Sequence, residues 1–474
     1  MRFLIAHEPV FVIHWRNDYS ILVEHFMIVG IDDTDSRSGM CTTYLCAYLV
    51  DALRNYCGEV SISAPRLVRL NPCIPYKTRG NGAVAFEVST TTTTARTRLE
   101  DVKELVRSTV TKFSELDDVN TNPGVVFIED ESGSKSKSNL SVSQLKRYYE
   151  RAVRSVLTLE DAFAIITEFG FDYFGLKNKR GIIGALAAAA FVILQRYYRY
   201  DFTYELMAYR EKERWGTPRE IDERSVWEAD AATYPLTWDT VDVANRRIVF
   251  APHSPCPVLF GIRGDSVDAL YKAYEIIDSE PVERVMLFIT NQGTDFHLIM
   301  ITPGTEQKLL DYHSYILDGV VESNPVTIAG GHVLFKLSSA SLSTNTRVDC
   351  IAYEPTKGFR NIIRKLRQGD EVRVFGSFKC GTLNLEKIEI KSLNREELRN
   401  PRCERCGRSM ESAGRGQGYR CKRCNTRREA KEVVTIDRAI EEGLYEVPPV
   451  ARRHISKPLI RMRTKKGVII HPSR

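Results

Sequence analysis

Between positions 27 and 300 the chain alternates between two kinds of apolar spacing. Met27-Ile28-Val29 opens a continuous apolar run that predicts a strand over 27–31. Leu45, Leu49 and Leu53 then recur every four residues and predict a helix over 42–55. Strand-like sequence follows at 58–63, and Ala83-Val84-Ala85-Phe86-Glu87-Val88 reads as a further strand. An amphipathic helix is predicted over 96–116, broken at Asn122-Pro123-Gly124 before strand-like 125–128. The Ser-, Gly- and Lys-rich stretch 131–143 reads as a polar loop or linker. A helical block is expected over 142–169, then an alanine-rich helix after Gly181, with strand and turn signals returning over 250–265. Such alternation predicts an α/β or α+β region. From about 324 to 391 the pattern changes to five short β runs, at 326–328, 332–337, 348–353, 371–378 and 383–390, with a helical interruption at 358–366. Five short strands suit a small barrel of the OB type, a fold that often carries nucleic acid on one face.

A length of 474 residues with 43% hydrophobic content supports about three domains with conventional cores. The net charge of +6 is modest, but it is unevenly distributed. Nine basic residues fall between Arg402 and Arg428, and Arg452, Arg453, Lys457, Arg461, Arg463, Lys465 and Lys466 follow. A basic C-terminal third favours an anionic partner, most often nucleic acid; the alternative is a solubilising tail. No apolar run approaches the roughly 18 residues that span a bilayer, so no membrane association is expected. Eleven cysteines, an odd number without a secretion signal, point to a reducing interior and a cytoplasmic protein. Residues 1–26 lack the parts of a signal peptide and read as a non-native extension ahead of a start at Met27, with an additional strand as the alternative.

The densest chemistry lies in Gly30-Ile31-Asp32-Asp33-Thr34-Asp35-Ser36. Three carboxylates this close stay ionised together when something positive sits among them. Magnesium held between carboxylates and substrate phosphates is the usual solution. In an extended chain Asp33 and Asp35 would share one side and Asp32 the other. Aspartates also cap helices, but one cap requires one aspartate. Thr42 and Thr43 follow, either as helix caps or as further ligands and phosphoryl acceptors. Lys77, Arg79 and Asn81, in Lys-Thr-Arg-Gly-Asn-Gly, combine charge with accessible backbone N–H groups, which suits triphosphate binding; an exposed hairpin turn is the alternative. Gly181 and Gly184 open the alanine-rich helix, either to admit an anion at its N-terminus or to allow tight helix–sheet packing. Gln292-Gly293-Thr294-Asp295-Phe296-His297 is a third candidate, in which His297 by itself reads as structural. Cys403-x-x-Cys406 and Cys421-x-x-Cys424 predict a structural zinc held by four thiolates. The arginines around them would present fixed positive charge to phosphates.

Taken together, the runs at 30–45, 69–86, 181–190, 257–265 and 291–298 and the four-cysteine ribbon resemble the archaeal agmatidine synthases, the tRNA(Ile) 2-agmatinylcytidine synthetases. The resemblance implies a multidomain α+β chain: a kinase-like α/β catalytic region with a ferredoxin-like module, an OB-fold and a zinc ribbon. The expected limits are a catalytic region over 27–320, an OB-fold over 321–397, a zinc ribbon over 398–430 and a basic tail over 431–474. It also implies an ATP-dependent joining of agmatine to the wobble cytidine of an isoleucine tRNA, which then reads AUA instead of AUG. In such a reaction ATP is consumed to AMP and phosphate, the cytosine C2 oxygen is phosphorylated, and the agmatine amine displaces it. The family's aspartates match Asp32, Asp33 and Asp35, and its phosphorylatable threonine matches Thr42. Two alternatives remain at the level of sequence: an RNA-binding protein with an inactive N-terminal scaffold, and an ATP-dependent enzyme acting on a small molecule.

Overall fold

The computed structural model describes residues 25–56, 60–78, 80–90, 95–130, 138–302, 308–340, 342, 347–462 and 468–474. Apart from its last two residues, the expected extension over 1–26 lies outside them. β1 (His25–Asp32) runs antiparallel between two strands of a larger sheet, and its alternate positions face two separate cores. Met27, Val29 and Ile31 pack into one and Ile28 into the other, which is why the run is apolar without interruption. The first core is roofed by α1 (Thr42–Tyr56) and, beyond β2 (Val60–Ile62), β3 (Arg66–Arg69) and β4 (Gly82–Thr90), by α2 (Ala95–Phe113). After β5 (Gly124–Asp130), α3 (Ser138–Arg154) and α4 (Leu159–Phe169) cover the second core, followed by β6 (Asp172–Gly175) and α5 (Ile182–Tyr197). Eleven residues of α5 are buried, so it reads as apolar on every side rather than as a stripe.

The next elements are β7 (Thr203–Arg210), α6 (Glu223–Thr233), β8 (Thr237–Trp238), the small pair β9 (Val241–Asp242) and β10 (Arg247–Ile248), β11 (Val258–Gly264), α7 (Val267–Ile276) and β12 (Val282–Thr290). Their strand order β12-β7-β11-β8 with two helices is the ferredoxin-like arrangement. A short parallel contact, Ile289 with Arg66 and Thr290 with Leu67, fuses it to the first half. The result is one ten-stranded sheet ordered β6-β5-β1-β4-β3-β12-β7-β11-β8, with β2 also on β4. The loops at the β3–β12 seam therefore bring the two halves together.

β13 (Leu298–Met300) leads into a barrel made of β14 (His313–Val321), β16 (Val333–Ser338), β17 (Arg347–Ala352), β18 (Glu371–Lys379) and β19 (Thr382–Ser392), with α8 (Phe359–Arg364) inserted. The barrel closes in the order β14-β16-β17-β19-β18-β14. Two expectations are corrected here. The run at 326–328 is only the two-residue edge strand β15 (Val326–Thr327) on β16. The first barrel strand is β14, which the expected boundary at 320/321 would cut. Asp318-Gly319 interrupts its apolar alternation, and Gly319 is needed because a Cβ there would press on the Ser338 carbonyl.

β20 (Glu396–Arg399) leaves the barrel, the ribbon strands β21 (Glu411–Ser412), β22 (Tyr419–Arg420) and β23 (Arg427–Arg428) follow, and β24 (Glu432–Thr435) returns antiparallel to β20. The expected basic tail over 431–474 is also corrected, because that segment is largely folded. β25 (Gly443–Glu446) adds to β19, and β26 (Ile470–His471) adds to β25. Among its described residues several cations pair within the chain: Arg452 with Asp239 and Glu446, Arg453 with Glu386, Arg461 with Asp201 and Asp265, and Arg474 with Asp230. Composition reveals the charge of such a segment, but not that most of its counter-ions come from the ten-stranded sheet region and the barrel.

Candidate active-site cavity and zinc ribbon

A cavity of about 940 Å³ opens at the seam between the two halves of the sheet. The turn from β1 to α1 contributes Asp32, Asp33, Asp35 and Thr42, and the β3–β4 loop contributes Lys77, Gly80 and Asn81. Glu205 and Arg263 come from the ferredoxin-like half, and Arg452 and His454 from the segment after the ribbon.

Asp32 ends β1 directly beneath the start of α5. A Cβ on Gly184 would overlap Asp32 Oδ2, one on Gly181 would press on the Asp32 carbonyl, and one on Gly30 would overlap the Ala185 carbonyl. The glycines of this helix therefore serve close packing, the second of the two readings open in the sequence. Asp33 N donates to Asp32 Oδ1 at 2.8 Å. Burial, with Asp33 and Asp35 adding to it, pushes the Asp32 carboxyl well above the usual range. The chain turns at Asp33, whose φ is +60°, so the extended alternation expected for the three aspartates does not hold. Arg180 donates to Asp33 Oδ2 through Nε at 3.2 Å and Nη2 at 2.9 Å. Burial nevertheless raises the Asp33 carboxyl to about 6 against the pull of Arg180. Thr121 Oγ1 donates to the Asp35 carbonyl at 2.7 Å, and Thr34 Oγ1 donates to Thr42 Oγ1 at 3.1 Å, pinning the turn against α1. Among the described residues the three aspartates do not bring three donor oxygens together as a ready-made metal cluster.

In the second loop, Asn81 Nδ2 donates to the Asn71 carbonyl at 2.9 Å, and Lys77, exposed at the rim, donates to the Pro72 carbonyl. Arg79 lies outside the described residues. Asn71 is buried and donates to the carbonyls of Ser155 and Tyr312, both at 2.9 Å, so it ties the loop to α3 and to the approach to the barrel. Asn291, directly before the third candidate motif, also works at the seam. Asn291 accepts from Arg69 N at 2.7 Å and donates to the Arg69 carbonyl at 2.9 Å. His297 is fully buried 3.0 Å from Glu386. Burial pushes the Glu386 carboxyl up, but His297 and Arg453 more than offset it and hold it at about 2.

Arg180, Glu205, Arg263 and His454 did not stand out as site residues in the sequence. Arg180 directly precedes Gly181 of the alanine-rich helix and Arg263 lies within the run 257–265, so both adjoin or fall in stretches already noted. His454 belongs to the expected tail and carried no local signal. It is placed by backbone pairing, since Gly293 N donates to its carbonyl at 2.8 Å, and Thr294 N and Asp295 N donate to the Ile455 carbonyl.

In the ribbon, Cys403, Cys406, Cys421 and Cys424 present sulfurs within 4.8 Å of one another. Tetrahedral zinc with Zn–S of about 2.3 Å requires sulfurs about 3.8 Å apart, and Cys406 and Cys421 lie 3.6 Å apart. Both knuckles fold alike: Gly407 N donates to the Cys403 carbonyl and Asn425 N to the Cys421 carbonyl. Gly407 and Asn425 both take positive φ, 68° and 56°, and both are residue types that tolerate it. Four thiols with this geometry fit zinc and leave no position for water. Arg402, Arg405, Arg408, Arg415, Arg420, Arg427 and Arg428 stand exposed around them.

Three family models match the chain: the TiaS TCKD domain over 28–178, the TiaS FLD domain over 179–297 and the TiaS C-terminal zinc ribbon domain over 400–440. The isoleucine-tRNA 2-agmatinylcytidine synthetase TiaS of Methanosarcina mazei is 48% identical over 451 residues, 94% of this chain and all of the relative. The crystal structure of TiaS in complex with its isoleucine tRNA and ATP superposes with a TM-score of 0.81 at 46% identity, covering 94% of this chain and 99% of that one. The complex of TiaS with the same tRNA, AMPCPP and agmatine gives 0.78 at 43% identity, with the same coverage. With three domain models in register and near-complete alignment to these relatives, the chain belongs to the TiaS family of isoleucine-tRNA 2-agmatinylcytidine synthetases.

Proposed function

We propose that this protein is an ATP-dependent ligase that joins agmatine to the wobble cytidine of an isoleucine tRNA, so that the tRNA decodes AUA. The observation that carries the reading is the seam cavity itself. It gathers the aspartate turn and Thr42 at one wall, in a chain whose family members are seen with an isoleucine tRNA, ATP and agmatine. A cytidine inside the anticodon loop must leave its stack to enter such a cavity. The cytosine C2 oxygen is a poor leaving group until it carries a phosphoryl group. Once it does, the agmatine amine bonds to C2, the C–O bond breaks, phosphate departs and the amine loses a proton.

The residues present fit magnesium in a partial way. Asp32 and Asp35 would hold the ion together with triphosphate oxygens, while Asp33 is engaged by Arg180. When bound, the ion neutralises charge on the phosphates. Asp32 needs such a counter-charge, since burial and two neighbouring carboxylates disfavour its ionised form. Thr42 Oγ1, held by Thr34 at the start of α1, offers the hydroxyl for transient phosphorylation. Lys77, Arg79 and Asn81 are assigned to the triphosphate, Asn81 by holding its loop closed on Asn71. The ribbon grips the tRNA body through its arginines. No described helix is long and apolar enough to cross a membrane, and a tRNA substrate supports a cytoplasmic location.

The test is the dependence of ATP breakdown on the other substrates. Release of AMP together with two phosphate equivalents, one of them having passed through the cytosine C2 oxygen, is expected to require both isoleucine tRNA and agmatine. Equal breakdown without tRNA would support a small-molecule enzyme instead.

A further inference from the structure

Among the described residues, the part of the cavity wall built by β3, β11 and the C-terminal segment carries more positive charge than its own carboxylates balance. Arg69 and Arg263 share one carboxylate: Glu205 lies 3.1 Å from Arg263 Nε and 3.7 Å from Arg69 Nη2. Gln292 Nε2 donates to the same carboxylate. Lys77 stands at the rim as a third cation, with a carbonyl rather than a carboxylate as its hydrogen-bond acceptor. Arg69 Nε and His454 Nδ1 are shielded from solvent and have no hydrogen-bond partner. Unbalanced, desolvated guanidinium is costly, and a planar fork of donors is suited to a phosphate.

The β3–β4 loop bends over these groups with two glycines. A Cβ on Gly80 would come within 3.1 Å of Arg69 Nη1 and 3.3 Å of His454 Cδ2, and one on Gly82 within 3.2 Å of Arg69 Nη1. Side chains at either position would fill the space above the arginine and the imidazole. Burial, with Arg263, Arg69 and Lys77 beside it, pushes the His454 imidazole well below its ordinary pKa, so it is a neutral ring able to donate or accept.

The geometry points to an oxyanion subsite in which Arg69, Arg263, Lys77 and His454 bind a phosphate group of a substrate. This rests on the proposed ligation of agmatine to tRNA, which offers two sources of phosphate: the ATP triphosphate, or a phosphodiester beside the flipped cytidine. His454 lies beyond the zinc ribbon in sequence, so the segment that follows the tRNA-gripping module completes the cavity.

The experiment uses the full chain and the variants Arg263→Gln and His454→Gln. It measures KM for ATP and for tRNA, calorimetric binding of inorganic tripolyphosphate, and thermal melting. Losing one charge-assisted bond corresponds to about a tenfold change. If the triphosphate occupies the subsite, tripolyphosphate affinity falls and the ATP KM rises about tenfold, with the tRNA KM unchanged. If the RNA phosphodiester occupies it, the tRNA KM rises about tenfold and the slope of log affinity against log salt falls by about one. Values within twofold of the unsubstituted protein for both substrates and for tripolyphosphate overturn the subsite. His454→Gln leaves Glu205 fully paired, so it decides the matter if Arg263→Gln does not fold. Agmatine transfer by the unsubstituted protein tests the underlying reading separately, since tripolyphosphate binding is read without agmatine or tRNA.

Discussion

The zinc ribbon brings Cys403, Cys406, Cys421 and Cys424 within 4.8 Å of one another, whereas the aspartate turn sends its carboxylates to different neighbours. Asp32 is pressed beneath Gly184 and Asp33 is held by Arg180. Both stretches concentrate side chains able to hold a metal within a few positions, yet only the thiols converge. Paired knuckles with positive φ at Gly407 and Asn425 turn each cysteine pair inward, so the chain completes that site itself. The turn at Asp33 instead separates its carboxylates and leaves them facing a cavity. The ribbon site is closed by the fold, while the aspartate turn is left open to the cavity.

The largest effect expected from this contrast follows Asp32→Asn. Removing the buried carboxyl should lower agmatine transfer by roughly 10²–10³-fold, with tRNA affinity unchanged, as measured by single-turnover labelling and filter binding. Unchanged transfer would place the catalytic charge elsewhere. Cys403→Ser should act on the other region alone. Apparent zinc binding in such modules contributes about 10–16 kcal/mol to folding, so the ribbon should unfold and tRNA affinity should drop. The salt slope of tRNA binding should decrease by about one for each phosphate the ribbon no longer neutralises, while the cavity and barrel melt as before; normal tRNA affinity would contradict the role of the ribbon. Gly184→Ala should give the smallest effect, about 1–3 kcal/mol of stability from overpacking, together with slower transfer because Asp32 must shift. A variant with full activity and unchanged melting would show that Asp32 has room the packing denies it.

Much of the architecture follows from local pattern. The apolar run of β1, the four-residue spacing of α1 and the paired CxxC knuckles are each set by residues close together in the chain. What local pattern does not reveal depends on distant ones. β14 was hidden because Asp318-Gly319 breaks its alternation where two strands crowd. The segment after 431 read as a basic tail because Asp201, Asp230, Asp239, Asp265 and Glu386, which neutralise it, come from the ten-stranded sheet region and the barrel. His454 reaches the cavity for the same reason, carried there by backbone pairing with Gly293. The aspartates were prominent by density, but their divergence was not. It follows from one positive φ and from Gly184, which lets a helix far later in the chain pack onto Asp32.

The most direct measurement is mass spectrometry of the wobble nucleoside of an isoleucine tRNA after incubation with the full chain, ATP and isotopically labelled agmatine. The account predicts a cytidine heavier by labelled agmatine less one water, formed only when ATP is present. An unmodified cytidine under those conditions, with zinc bound and tRNA retained on the protein, would contradict it.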